Sequence, residues 1–485
     1  TGSGIEGPKS LGQMEVNALI AHNARALMRE GSTLRSAKNL EFWKEFQAGR
    51  LPQWPAEKKT FDRFSALLKQ AGVNILRRGK ELVAAPLTDR DVLALSAGEI
   101  RDGRRLNART LAPEPGGLFD PVVTGGLDGR RWGHISLAEP VVNPVFTDAA
   151  RAVLNMDGTD FRRLCEEQGG AIVRDMLNNI DVDKELEAEQ VHLSGKLSLG
   201  AVDKAIKRLK CLRALKDLGL RAGDAYVLSV VPVTPPIMRP ISIGTDGSTL
   251  DSDANALYKD LILQNNATRA VIEARLGPDD IREARRALNT RLHELAGTVA
   301  PGAGLNKARG IKGALMFVSG NTPKEGYFQR KVISGKQTLT GRATISPDVT
   351  LGLDEVGLPE EQAWALYAPF VVRQLALMGY DPLSARDAVA SRSPAAKEIL
   401  IGEMSRRPIL INRAPTLWRH GILAARPIMR KGNNLHVNSL WEKSTNQDYD
   451  GDAMQIHVPV SEAAVQEALE MMPSRQIFSD KKRGA

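Results

Sequence analysis

The sequence predicts an α+β protein of several domains, and three observations carry that expectation. The chain has 485 residues, 42% of them hydrophobic, which is enough for more than one packed core. Apolar residues recur at helical spacing near the start (Met14, Val16, Leu19, Ile20, Ala24, Leu27) and at heptad spacing later (Ile281, Leu288, Leu295, with Leu292 between the last two). Within residues 226–247 an apolar run from Tyr226 ends in prolines up to Pro240, which reads as a strand leading into a loop.

Taken in order, residues 1–85 read as mostly helical. Thr88 or Asp89 is a good N-cap for a helix that follows. Residues 147–230 are helical and charged, with a basic run (Lys204, Lys207, Arg208, Lys210, Arg213) that suits a solvated helix face or a nucleic-acid-facing one. Residues 251–297 read as a helical hairpin broken at Gly277-Pro278, with Asp251 or Ser252 as cap. Its arginines Arg282, Arg285, Arg286 and Arg291 suit a docking surface or simple solvation, and each taken singly reads as solvated. Residues 299–320 are rich in Gly and Ala and are expected to be mobile.

The formal net charge is +9 and the isoelectric point is near 9.4, which favours a polyanionic partner without identifying one. Two cysteines, Cys165 and Cys211, are too few for a disulfide framework or a four-cysteine zinc site, and a reducing compartment is expected. No run of about 18 apolar residues occurs, so no membrane span is expected. The start, Thr1-Gly2-Ser3-Gly4, lacks an initiator methionine and a signal-peptide pattern, as in a processed product or a piece of a longer chain.

The chemistry concentrates at Asn446-Gln447-Asp448-Tyr449-Asp450-Gly451-Asp452. Three carboxylates alternate over five residues, and such a cluster needs a counter-charge. Gly451 permits a tight turn, so that the side chains can converge rather than alternate across a strand. Hard oxygen ligands in a small cage suit Mg²⁺. An EF-hand is excluded: counted from Asp448, the glycine falls at position four and position twelve is Pro459. An acidic, solvated turn is the bland alternative.

The surroundings of this loop decide between the two. Upstream lies Arg407-Pro408-Ile409-Leu410-Ile411-Asn412-Arg413-Ala414-Pro415-Thr416-Leu417-Trp418-Arg419, and downstream His457-Val458-Pro459. Together they resemble the active-centre region of the largest (β′) subunit of multisubunit DNA-dependent RNA polymerases, where an NRAPTLHR-type segment precedes an NADFDGD loop and an HVP turn. Gln447, Tyr449 and Trp418 depart from that pattern; the three acids are kept. Further segments resemble the same family: Gly116-Gly117-Leu118-Phe119-Asp120, Gly133-His134-Ile135-Ser136-Leu137-Ala138-Glu139-Pro140, the proline-rich stretch to Arg239 where the lid begins, and 326–343, a switch that grips template DNA. The family's four-cysteine zinc ribbon is missing between Thr124 and Trp132, so no zinc is expected, and His134 reads as structural. Lys9-Ser10-Leu11-Gly12-Gln13-Met14-Glu15-Val16-Asn17-Ala18-Leu19 is similar to the end of the β subunit (FGEMEVWAL).

The resemblance implies a double-psi β-barrel catalytic core with a helical clamp and a coiled-coil hairpin. The segments would be 1–85, resembling the β C-terminal end; 86–250, clamp base and lid; 251–297, clamp helices; 298–345, rudder and switch; and 346–485, the barrel. It implies Mg²⁺-dependent nucleotidyl transfer, with Asp448, Asp450 and Asp452 as catalytic metal ligands in a two-metal scheme. Arg413 would lie near the substrate sugar, or form a structural ion pair with one of the acids, and Asn446 would sense the 2′-hydroxyl. Lys331, Lys336, Arg342 and Arg239 would contact nucleic-acid backbone, while Gln329 stands where the family has arginine. Implied partners are a β-like subunit, a β′ C-terminal chain with bridge helix and trigger loop, template DNA, RNA transcript, nucleoside triphosphates and an initiation factor on the clamp helices. The expected location is the cytoplasm with the nucleoid, or host cytoplasm or virion for a viral enzyme. A non-catalytic clamp or scaffold subunit is the competing reading. An RNA-templated polymerase with related barrels fits the loop but not the lid, hairpin and switch-like segments.

Overall fold

The computed structural model describes residues 9–36, 40–50, 52, 59–79, 81–104, 106–107, 110, 112–126, 129–194, 198–243, 249–302, 304–322 and 324–476. Thr1-Gly2-Ser3-Gly4 lies outside the described residues. The chain forms two compact units, one from residues 1–61 with 328–485 and one from 62–327.

The first unit is built on a closed six-stranded barrel: β1 (Thr340–Pro347), β2 (Glu355–Pro359), β3 (Ile409–Asn412), β4 (Ile422–Arg430), β5 (Leu435–Val437) and β6 (Ala453–His457). Around the barrel the order is β1-β5-β2-β4-β3-β6. The β1–β5 and β2–β4 pairs are parallel and the other four antiparallel. The barrel therefore begins at Thr340, inside the stretch expected to be switch-like. Alternation along β1 explains its placement: Ala343 and Ile345 point inward, Arg342 and Thr344 outward. Inward residues from all six strands, among them Val356, Leu358, Ile411, Leu423, Leu435 and Ile456, form one core with the helices Glu360–Leu377 and Pro394–Arg406.

Strand β3 is buried on both faces, which needs a second layer outside the barrel. Residues from the start of the chain supply part of it. Leu410, Ile422 and Ala424 pack with Leu11, with Ala18 and Leu19 of α1 (Gln13–Ala21), and with Leu27 of α2 (Arg25–Ser32). Burying each such leucine is worth about 1.5–3 kcal/mol. The segment Lys9–Leu11 is not helical; it pairs antiparallel with Gly335–Gln337. Polar contacts tie α2 down as well. The fully buried Glu30 carboxylate accepts the Val460 and Ser461 amides (2.8 and 2.9 Å) and faces Arg35 at 3.7 Å. Arg35 donates to Nδ1 of His457 (3.0 Å).

In the second unit a three-stranded sheet (Ser96–Glu99, Trp132–Val142, Val227–Val233) packs against the helical hairpin Asp253–Glu273 and Pro278–Ala296. The hairpin turns before Pro278, and Leu288, Leu292 and Leu295 are buried. Of its arginines, Arg285 is not solvated: it bonds Glu139 (2.7 Å) and the Glu167 carbonyl (2.5 Å). Thr88 caps its helix as expected, accepting from the Asp91 amide (3.2 Å). Residues 73–86, expected to continue a helical segment, form a β-hairpin (Val73–Arg78 with Glu81–Pro86). His134 is structural, 2.6 Å from the Ser96 hydroxyl. Short helices, Gly304–Ala308 and Ala314–Ser319, lie in the Gly- and Ala-rich stretch. Among the described residues no helix is long and apolar enough to cross a membrane.

Candidate active site

The acidic loop joins a short helix, Glu442–Thr445, to β6. Trp441, fully buried, anchors the near side by donating its indole N–H to the Leu353 carbonyl (3.0 Å). Asn446 ends the helix in the left-handed region (φ +50°), a conformation asparagine tolerates better than most residues. Gly451 takes φ +115°, which a residue with a Cβ would adopt only under strain. The far side is fixed where the Asp452 carbonyl accepts the Ile345 amide of β1 (2.9 Å).

Between these anchors the three acids differ. Asp448 and Asp450 are exposed and Asp452 is partly buried. Asp452 Oδ2 accepts the Asp448 amide (2.9 Å) and is bonded by Nε of Arg413; Oδ1 accepts Nη2 of Arg413 (3.1 Å). This two-pronged contact is a strong form of ion pair. The Arg413 guanidinium, helped by the Asp448 amide, holds the Asp452 carboxyl below the usual carboxylate range, and Asp452 in turn raises Arg413. The structure thus brings together Arg413, Asp448 and Asp452, with Asn446 exposed at the loop entrance. Among the described residues no three His, Cys, Asp or Glu side chains converge as a metal set. The donor chemistry of the loop still fits a hard cation, with three carboxylates in five residues, two of them exposed.

The two departures inside the loop are partners. Gln447, buried, donates Nε2 to the Tyr449 hydroxyl (2.9 Å), and its carbonyl oxygen accepts the Thr445 hydroxyl (2.9 Å). A glutamine buried here without a hydroxyl opposite it would leave an unpaired amide. Trp418, the third departure, donates its indole N–H to the Ser444 carbonyl (2.7 Å) and so ties the Arg413 loop to the helix before the acids.

Lys331, in the helical turn Phe328–Ile333, Lys336 and Arg342 are exposed in the same unit, and none has an ion-pair partner among the described residues. Arg342 lies opposite Gln455 across the β1–β6 pair. Arg239 stands apart and corrects the expectation of a nucleic-acid contact. It lies in the other unit, is 0% exposed, and donates to the Thr234 carbonyl (2.6 Å), Asn255 Oδ1 (2.7 Å) and the Leu118 carbonyl, with its guanidinium over the Phe119 ring. Burial pulls it down to about 10. Sequence reasoning missed Glu15, Glu30 and Arg35, each of which has a hydrogen-bond partner 401 to 430 residues away; the local signals are Glu15, three residues after the Gly12 whose amide it accepts (2.8 Å), and the opposite charges of Glu30 and Arg35.

Fold and loop together define a barrel that displays an acid-rich turn beside a bidentate arginine. Residues 389–474 match the family RNA polymerase Rpb1, domain 2. The chain is similar to the DNA-directed RNA polymerase subunit beta' of Ralstonia nicotianae (32% identity over 458 residues), of Polynucleobacter necessarius (29% over 460) and of Bordetella petrii (28% over 459). Each match covers 78% of this chain and 32% of the relative, so the chain spans about a third of the length of these relatives. The chain carries a β′-like portion, corresponding to the N-terminal part of that subunit.

Proposed function

We propose that the chain bears the catalytic loop of a multisubunit DNA-dependent RNA polymerase, adding ribonucleotides to an RNA 3′ end on a DNA template. The observation that carries this reading is the acidic loop on a closed barrel with Arg413 bonded to Asp452, in a chain with a β′-like portion. On this reading the barrel is a double-psi barrel and the hairpin of residues 253–296 a clamp coiled coil. Asp448, Asp450 and Asp452 would hold Mg²⁺, which when bound neutralises charge on the attacking and leaving oxygens. Arg413 orients the substrate sugar from its anchor on Asp452. Asn446 offers both a donor and an acceptor to a 2′-hydroxyl, which separates ribose from deoxyribose. Lys331, Lys336 and Arg342 hold nucleic-acid phosphates, fixing register without reading sequence. Activity would require a β-like subunit and a chain supplying bridge helix and trigger loop, with an initiation factor docking on the hairpin, all in the cytoplasm with the nucleoid.

One observation favours a second reading, a nucleic-acid-binding scaffold: the Asp452 carboxylate is already engaged by the Arg413 guanidinium and the Asp448 amide. Primer extension on a DNA template by the complex purified around this chain separates the two. Extension by wild type and none by Asp450→Ala supports catalysis. Equal extension by both refutes the loop assignment, and no extension by either, with partner chains present, supports the scaffold.

A further inference from the structure

We propose that Glu15 is a positioning residue for the candidate site: through Thr416 and Asn412 it holds the loop that presents Arg413 to Asp452. The proposal rests on the polymerase reading and makes the N-terminal segment a working part of that site.

The argument is one of hydrogen-bond polarity. Glu15 is a carboxylate only 7% exposed. One of its oxygens accepts the Gly12 amide at the start of α1 (2.8 Å), and the other accepts the Thr416 hydroxyl (3.1 Å). Thr416 has one hydroxyl hydrogen, and Glu15 takes it. Its oxygen therefore accepts in turn, from Nδ2 of Asn412 (3.3 Å). The run Asn412 to Thr416 to Glu15 ends on an acceptor-only group and has a single direction. Both Asn412 and Thr416 are buried, and among the described residues the Asn412 side-chain oxygen Oδ1 has no hydrogen-bond partner. The Thr416 hydroxyl is thus what fixes that amide. Asn412 closes β3, opposite Gln455 of β6, and Arg413 is the next residue. The loop from Arg413 to Thr416 is consequently pinned at its two ends by one carboxylate from α1. The partly buried guanidinium at the head of that loop makes the bidentate contact with Asp452.

The test compares Thr416→Val, which removes the hydroxyl at nearly constant shape, with Thr416→Ser, which keeps it, and with Glu15→Ala and the double variant Glu15→Ala/Thr416→Val, all in the complex around the full chain. For nucleotide addition, Thr416→Val is expected to raise KM for the nucleoside triphosphate about tenfold, the size of one hydrogen bond to a charged group, with kcat within about twofold. Thr416→Ser restores KM, and the double variant is no worse than its more impaired parent, since both break one link. Equal impairment by Ser and Val, or additive losses in the double variant, overturns the proposal. Amide hydrogen exchange over 413–418 is read in the same samples. Unchanged exchange in Thr416→Val overturns the positioning role even where wild type extends RNA. Faster exchange in Thr416→Val, reversed in Thr416→Ser, upholds it even where wild type does not extend, and in that case only the polymerase reading falls.

Discussion

Glu30→Ala is the substitution whose cost the structure specifies best. The Glu30 carboxylate is fully buried and accepts three hydrogen bonds, from the Val460 amide (2.8 Å), the Ser461 amide (2.9 Å) and the Ser461 hydroxyl (3.0 Å). Arg35, 2% exposed, lies 3.7 Å away and loses its counter-charge in the variant. Burial pushes Glu30 up and Arg35 down, against the mutual attraction that opposes both shifts. The intact pair therefore contributes little beyond an apolar replacement of the same shape, whereas an orphaned buried cation is costly. Stranding Arg35 is worth about 3–5 kcal/mol on that ground, and the lost bonds to a charged acceptor give a similar figure. With two compact units, a global melting curve is a poor measure. The assay is native-state exchange of the β6 amides of Met454 and Ile456, where that loss appears as a fall in protection of roughly two to four orders of magnitude, at about 1.4 kcal/mol per decade. Glu30→Ala/Arg35→Ala should lose less than the two single variants added together. Protection within fivefold of wild type in Glu30→Ala would refute the reasoning, because the buried cation would then have found water or another partner.

Further outcomes follow from other buried groups. Burial, reinforced by Arg35, drives His457 down to about 3. Its folded value lies below its unfolded one, so the stabilisation is complete above about pH 6.5 and is lost as pH falls, by up to about 1.4 kcal/mol per unit until the folded value is reached; exchange protection of the β6 amides in wild type and His457→Gln between pH 7 and pH 5 should fall less steeply in the variant. Arg239→Met leaves the Thr234 and Leu118 carbonyls and Asn255 Oδ1 without their donor. The unit of residues 62–327 should lose about 3 kcal/mol by exchange, while on the polymerase reading the salt slope of nucleic-acid binding stays unchanged. Tyr449→Phe should cost about 1–2 kcal/mol by stranding the buried Gln447 amide, and Gln447→Ala/Tyr449→Phe should cost less than the sum of its parts.

What could be read from the sequence tracks the span over which each contact is made. The helical hairpin at 253–296 announces itself through a heptad pattern and a Gly277-Pro278 break, and the Thr88 cap through its Asp91 partner three residues on; both are local chemistry. The acidic loop was legible because its three carboxylates and its glycine sit within five residues. The barrel's closure was not legible from residue patterning, since Ile345 pairs with Leu435 in a parallel ladder and β5 has only three residues, too few to show alternation. Arg239 was misread for the same reason. A lone arginine beside prolines looks exposed, and only the fold brings the Leu118 carbonyl, 121 residues away, to its guanidinium. Glu30 is the extreme case, with 430 residues between it and the amide it caps. A buried charge of this kind carries no local signature, because the pattern that makes its burial tolerable is the partner's position rather than its neighbours' identity. That places the least legible residues where the N-terminal segment meets the barrel: Glu15 bonds Thr416 in the loop that carries Arg413, Arg35 bonds His457 at the end of β6, and Glu30 holds the turn after it. The acids announce themselves in sequence; the arrangement that aims Arg413 at one of them depends on contacts that only the folded chain assembles.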